Sequence, residues 1–112
     1  MKELFGRVTA LLCLLVIADS AVAELADDLA DLEGYTIILS TKIEKWIDKD
    51  GEKSGDSFEG CDFDRIIIFS NDKMLICRTY DYTYAYRPTA VILSNGSSFK
   101  MIVRDRVYDM RN

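Results

Sequence analysis

The sequence predicts a mainly β fold: a small antiparallel meander of about five strands, as a half-open barrel or sheet, with a short N-terminal helix and one disulfide. Three observations carry this expectation. Apolar and polar residues alternate from Tyr35 to Ile47, and two β-branched or aromatic runs flank Ser94-Asn95-Gly96-Ser97, the strongest hairpin signal in the chain. Cys61 and Cys77 remain as an even pair once the leader is set aside.

Residues 1–23, MKELFGRVTALLCLLVIADSAVA, read as a cleaved secretory signal peptide. Lys2 and Arg7 supply a cationic start, Val8 to Ala18 is an almost unbroken apolar run, and Ala21 and Ala23 are the small residues a signal peptidase requires. The run is about half of the ~20 residues needed to cross a bilayer, so no permanent membrane span is expected. Cys13 follows Leu12 within the run, offers no lipid-attachment signal and leaves with the leader. The mature chain is expected to begin at Glu24 and to be secreted or periplasmic.

Glu24 to Glu33 sets Leu25, Leu29 and Leu32 at helical spacing among acids, so residues 24–33 read as a short acidic helix or leader. Gly34 changes the period and opens a single small β domain over 34–112. Tyr35, Ile37, Leu39, Thr41, Ile43 and Ile47 then share one face of a first strand, opposite Thr36, Ser40, Lys42 and Glu44. Asp48 to Gly60 is polar and punctuated by glycine, hence a loop. Phe63 to Phe69 reads as a second strand whose Ile66-Ile67-Ile68 run implies burial on both faces and a central position. Asn71 and Asp72 form a turn that sets Ser70 opposite Lys73, and a long third strand is expected from Lys73 to Tyr86. Pro88 marks a break or an edge, after which Thr89 to Leu93 and Phe99 to Val103 complete the five strands.

The chain carries a net charge of −5, and the leader's two cations and two acids cancel, so the mature protein keeps that balance. Nucleic acid and anionic membrane surfaces need clustered cations, and both are disfavoured as partners. Cys61 and Cys77 are too far apart for a redox dithiol, and a chain without histidine lacks the further ligands of a zinc site. They read as a structural disulfide closing a loop of about 17 residues, a contribution of ~3 kcal/mol through the unfolded state. In the register above Cys61 falls several residues beyond the partner of Cys77, too far for a bridge. The segment Phe58 to Cys61 is therefore expected to leave the ladder and fold back, with Gly60 supplying the bend.

Tyr80, Tyr82, Tyr84 and Tyr86 are spaced by two, so an extended chain projects all four rings from one face, with Thr79, Asp81, Thr83 and Ala85 on the other. Such rings either cover a core or form an aromatic platform for a protein or carbohydrate partner. Tyr82, Tyr84, Tyr86 and Arg87 are the candidate binding residues, and Tyr80, expected opposite Phe63, is the ring assigned to the core. Asp48, Asp50, Glu52, Asp56 and Glu59 fall at the oxygen-ligand spacing of a calcium loop, but Lys53 stands where that loop needs glycine and a strand follows it instead of a helix. Glu59 with Asp62 or Asp64 is the carboxylate pair of an alternative reading as a small hydrolase. Asn95-Gly96-Ser97 spells a glycosylation acceptor whose turn role already accounts for it. With no histidine, no free cysteine after Glu24 and no nucleophile motif, the leading expectation is a non-enzymatic binding module without a cofactor. An inhibitor or accessory protein of an extracytoplasmic enzyme fits this size, and a purely structural envelope protein is the third reading.

Overall fold

The computed structural model describes residues 24–112; the expected signal peptide over 1–23 lies outside the described residues. The chain divides at Gly34 into two units. In the first, residues 24–30 are helical, closed by the N–H groups of Leu32 and Glu33 on the carbonyls of Leu29 and Ala30. The second, Tyr35–Asn112, is an antiparallel β domain with strands β1 (Thr36–Ile47), β2 (Ser54–Gly55), β3 (Ile66–Phe69), β4 (Met74–Cys77), β5 (Thr89–Ser94), β6 (Phe99–Val103) and β7 (Arg106–Arg111).

The sheet order is β2-β1-β3-β4-β7-β6-β5, and β5 returns to pair with β1. Six strands thus close into a barrel, with β2 a two-residue addition beside the end of β1. The half-open alternative is not taken. Closure depends on β1 changing partners along its length: Thr36 to Lys42 pair with β5, and Ile43 to Ile47 with β3. At the handover Ile43 donates its N–H to Pro88, and the Lys42 carbonyl accepts from Ser70.

Bulges at the Ile37/Leu39 and Ile43/Lys45 steps make this bend possible, because an extra residue on one strand kinks and twists it. They also revise the expected inward face. The second bulge carries the buried position from Ile43 to Trp46, 0 % and 5 % exposed, and leaves Ile47 half-buried. Near the first, Ile37 and Ile38 are both exposed instead of alternating.

Further expectations change along the rest of the barrel. The second strand begins at Ile66, not Phe63, because Asp62 to Arg65 form a turn with Asp64 at φ 63°. Only Ile67 and Phe69 of that strand are fully buried, since a closed barrel packs one side of each strand and leaves Ile66 and Ile68 half-covered. The β3–β4 register is one residue off the expected one: Phe69 pairs with Lys73 around a three-residue turn in which Asp72 takes φ 67° and Asn71 Oδ1 accepts from the Lys73 N–H. The long third strand ends at Cys77. The β5–β6 hairpin matches expectation, with Ser94 opposite Phe99, and a sixth barrel strand, β7, follows a tight turn at Arg104 (φ 55°).

The core collects one face of each barrel strand, including Ile67, Phe69, Leu75, Ile92, Met101, Val103, Tyr108 and Met110, together with Phe58 and Cys61 from the connecting loop. Phe58 meets Tyr108 edge to face at 5.5 Å between ring centroids. Cys61 and Cys77 are bonded, their Cα atoms 5.6 Å apart, and the Cys61 Sγ lies 3.9 Å from the Met110 Sδ.

Two measurements follow from this core. Cys77→Ser removes a cross-link closing a loop of 16 residues' separation, and urea unfolding should show a loss of ~3 kcal/mol. Tyr108 buries its hydroxyl without a hydrogen-bond partner among the described residues, and this burial, reinforced by Asp81, pushes its pKa from 10.0 up to about 12. The folded state therefore holds the phenol proton more tightly than the unfolded chain, so the associated stability is intact below pH 10 and is lost as pH rises towards 12. Tyr108→Phe should raise stability by ~1 kcal/mol at neutral pH by removing the unsatisfied hydroxyl, and should flatten the alkaline decline in denaturant midpoint across that window.

Candidate functional site

The tyrosine stretch lies outside the named strands, as an extended segment attached to the loop before β3. Phe58 and Ala85 exchange both main-chain hydrogen bonds, each 2.9 Å, and Cys61 and Asp81 do the same at 2.9 and 3.0 Å. Between these bridges Gly60 adopts φ 80° and presses on the segment: a Cβ there would come within 2.2 Å of the Asp81 carbonyl oxygen and 2.7 Å of the Thr83 nitrogen. Only glycine suits that position, on both conformational and steric grounds. Gly60 does supply a bend, yet Phe58 to Cys61 runs alongside residues 81–85 instead of folding away from them. Cys77 still reaches Cys61 because Arg78 donates its N–H to Asp109 of β7 and the chain bends at Thr79 before extending again.

This arrangement decides the direction of the rings. Ala85 is 1 % exposed and Thr83 and Asp81 are half-buried, whereas Tyr80, Tyr82, Tyr84 and Tyr86 are 57–66 % exposed. The alternation expected from the sequence holds, and its open side is the aromatic one. Tyr80 is a correction: it is not core, and Phe63, its expected partner, is itself exposed in the turn before β3. Asp81, on the inner side, holds Arg106 of β7 through a 2.7 Å contact to Nη1 and so pins the segment to the barrel wall. At the far end Arg87, at φ 41°, donates Nε to the Asp56 carbonyl and lies 5.6 Å from the Tyr86 ring centroid. The candidate residues Tyr82, Tyr84, Tyr86 and Arg87 are thus consecutive on one exposed ridge.

Five acids of the calcium-loop and hydrolase readings, Asp48, Asp50, Glu59, Asp62 and Asp64, have structural partners. Arg65 stacks on Trp46 at 3.9 Å, donates Nε to Asp48 at 2.9 Å and reaches the Gly60 carbonyl. The Trp46 indole donates to Glu59 at 2.8 Å, over Gly55, where a Cβ would strike the ring. Asp50 and Asp62 accept from the N–H groups of Glu52 and Phe63, while Asp56 and Glu52 are exposed. Asp64 sits between Lys49 and Arg111. Asp48, Asp50 and Asp62 line a shallow recess with Lys49 and Phe63, but no three acids or cysteines among the described residues are placed to hold a metal ion. Of the hydrolase candidates, Glu59 is thus bonded to Trp46 and Asp64 to Lys49 and Arg111, while Asp62 caps the Phe63 N–H.

Sequence reasoning missed a second concavity, of about 450 Å³, lined by Leu39, Phe69, Leu75, Ile92 and Phe99, with Asp72 and Lys73 as its charged residues. Its walls come from strands distant in sequence, and no local pattern marks it. No helix among the described residues is long and apolar enough to cross a membrane. Comparison with protein-family models, curated proteins and solved structures gives no match.

Proposed function

We propose that this protein is a secreted or periplasmic, non-enzymatic binding module that engages a partner through Tyr82, Tyr84, Tyr86 and Arg87. The observation that carries this reading is the exposure of four tyrosine rings on a segment whose backbone is fixed. Tyrosine gives large amphipathic contact area with few rotors to immobilise, and a ridge already held by Cys61 and Phe58 loses little further freedom on binding. Contiguous exposed rings on a small domain are the kind of patch that marks an interaction site. The disulfide and the leader-like residues 1–23 support an extracytoplasmic setting. An inhibitor or accessory subunit of an extracytoplasmic enzyme suits these properties. The hydrolase reading has less support, because Glu59 and Asp64 are engaged by Trp46 and by Lys49 and Arg111.

Single substitutions separate binding from folding. Tyr82→Ala, Tyr84→Ala and Tyr86→Ala, made in the mature protein beginning at Glu24, should shift the melting midpoint by no more than about 2 °C, as exposed positions do. The same substitutions should reduce recovery of the partner from the extracytoplasmic fluid of the source by about tenfold at the ridge centre. Destabilisation by all three with unchanged recovery would remove the ridge from the function.

A further inference from the structure

We propose that the outer edge of the tyrosine segment pairs with an extended, acidic strand of a partner protein, so that binding proceeds by β-strand addition. This rests on the tyrosine ridge being the binding surface and names the kind of partner it takes.

Successive residues of an extended chain aim their N–H and C=O groups to opposite sides. Asp81 and Ala85 direct theirs inward, to Cys61 and Phe58. Those of Tyr82 and Tyr84 consequently face away from the loop, and among the described residues no hydrogen bond meets them. The six barrel strands pair with one another around a closed ring, whereas this segment is paired on one side, at Asp81 and Ala85, and unpaired on the other. Residues 80 to 86 span about 20 Å, the length of an ordinary strand. A row of unpaired main-chain donors and acceptors at strand spacing is complemented by another backbone edge, while the rings above it supply pockets for alternate side chains of the incoming strand.

Charge selects the occupant. Arg78 and Arg87 bracket the segment, and neither guanidinium forms an ion pair among the described residues. Arg87 reaches only the Asp56 carbonyl and the Tyr86 ring. Two uncompensated cations at the ends of this edge, on a chain of net charge −5, favour a strand carrying carboxylates. They disfavour a second copy of this chain, because antiparallel pairing of two such edges brings Arg78 of each copy near Arg87 of the other. A carbohydrate would use the rings and leave the amides of Tyr82 and Tyr84 unaltered.

The test uses three blocked heptapeptides of alternating glutamate and valine: one unmodified and two N-methylated at opposite sets of alternate residues. They are titrated into the isotope-labelled, disulfide-bonded protein and followed by amide NMR. Strand addition predicts saturable binding with the largest amide shifts at Tyr82 and Tyr84. It also predicts that methylation of one set weakens binding by about tenfold or more, while the other set binds like the parent. Tyr82→Ala should weaken the parent peptide as well. Equal affinity for all three peptides, no binding at millimolar concentration, or concentration-dependent dimerisation through this edge overturns the proposal. Equal peptide affinities combined with loss of native-partner recovery in Tyr82→Ala would refute strand addition and leave the tyrosine ridge intact. If Tyr82→Ala alters neither interaction, the ridge and the strand fall together.

Discussion

Cys61 is held twice, and the rest of the candidate surface depends on it. Its main chain is bonded to Asp81 and its side chain to Cys77, so the residues between those two partners must loop out and return. Gly60 fits against Asp81–Thr83 with no room for a side chain, and Phe58 repeats the attachment at Ala85. A segment pinned at both ends with a small residue turned inward has its large residues turned outward. The exposure of the tyrosines is thus a consequence of where Cys61, Gly60 and Phe58 stand in the chain. Arg65 extends the same constraint to the loop: stacked on Trp46 and bonded to Asp48 and to the Gly60 carbonyl, it ties the start of the loop, its end and the barrel together. A cation over an indole is worth ~1 kcal/mol, and here it also compensates Asp48 at a half-covered position.

The barrel supplies the rigid base. A single bent strand, β1, closes it by pairing with β5 and then with β3, which leaves the barrel without an open edge while the tyrosine segment keeps one. Closed barrels remove the hazard of unpaired edges, so a retained edge that is short, flanked by cations and topped with aromatic rings is suited to a specific contact rather than to aggregation.

Local signals in the sequence were legible and non-local ones were not. The β5–β6 hairpin could be read because its strands and turn residues are adjacent, and Asn95 Oδ1 accepts from Ser97 and Ser98 within the same loop. The disulfide followed from the even pair of cysteines in a small domain. The inward role of Trp46 was hidden, since a bulge shifts the period by one residue and leaves no mark in composition. Strand β7 was hidden behind Arg104-Asp105, a turn without glycine, proline or asparagine, although the alternation of Tyr108 and Met110 carried its signal. Periodicity alone overextends the third strand, because the alternation of the tyrosines continues past Cys77 while the strand ends there. Period two identified the shared face of the four rings, but which face is open depends on Phe58 and Cys61, distant in sequence, and only their bridges to Ala85 and Asp81 fix it.

The central claim is that the segment from Tyr80 to Tyr86 is paired on its inner side, at Asp81 and Ala85, and open on its outer side at Tyr82 and Tyr84. Amide hydrogen exchange of the free, oxidised protein, resolved by residue, measures this directly. Slow exchange at Asp81 and Ala85, whose N–H groups are bonded to Cys61 and Phe58, with fast exchange at Tyr82 and Tyr84, is the predicted pattern. Protection of Tyr82 and Tyr84 equal to that of Asp81 and Ala85 would contradict it.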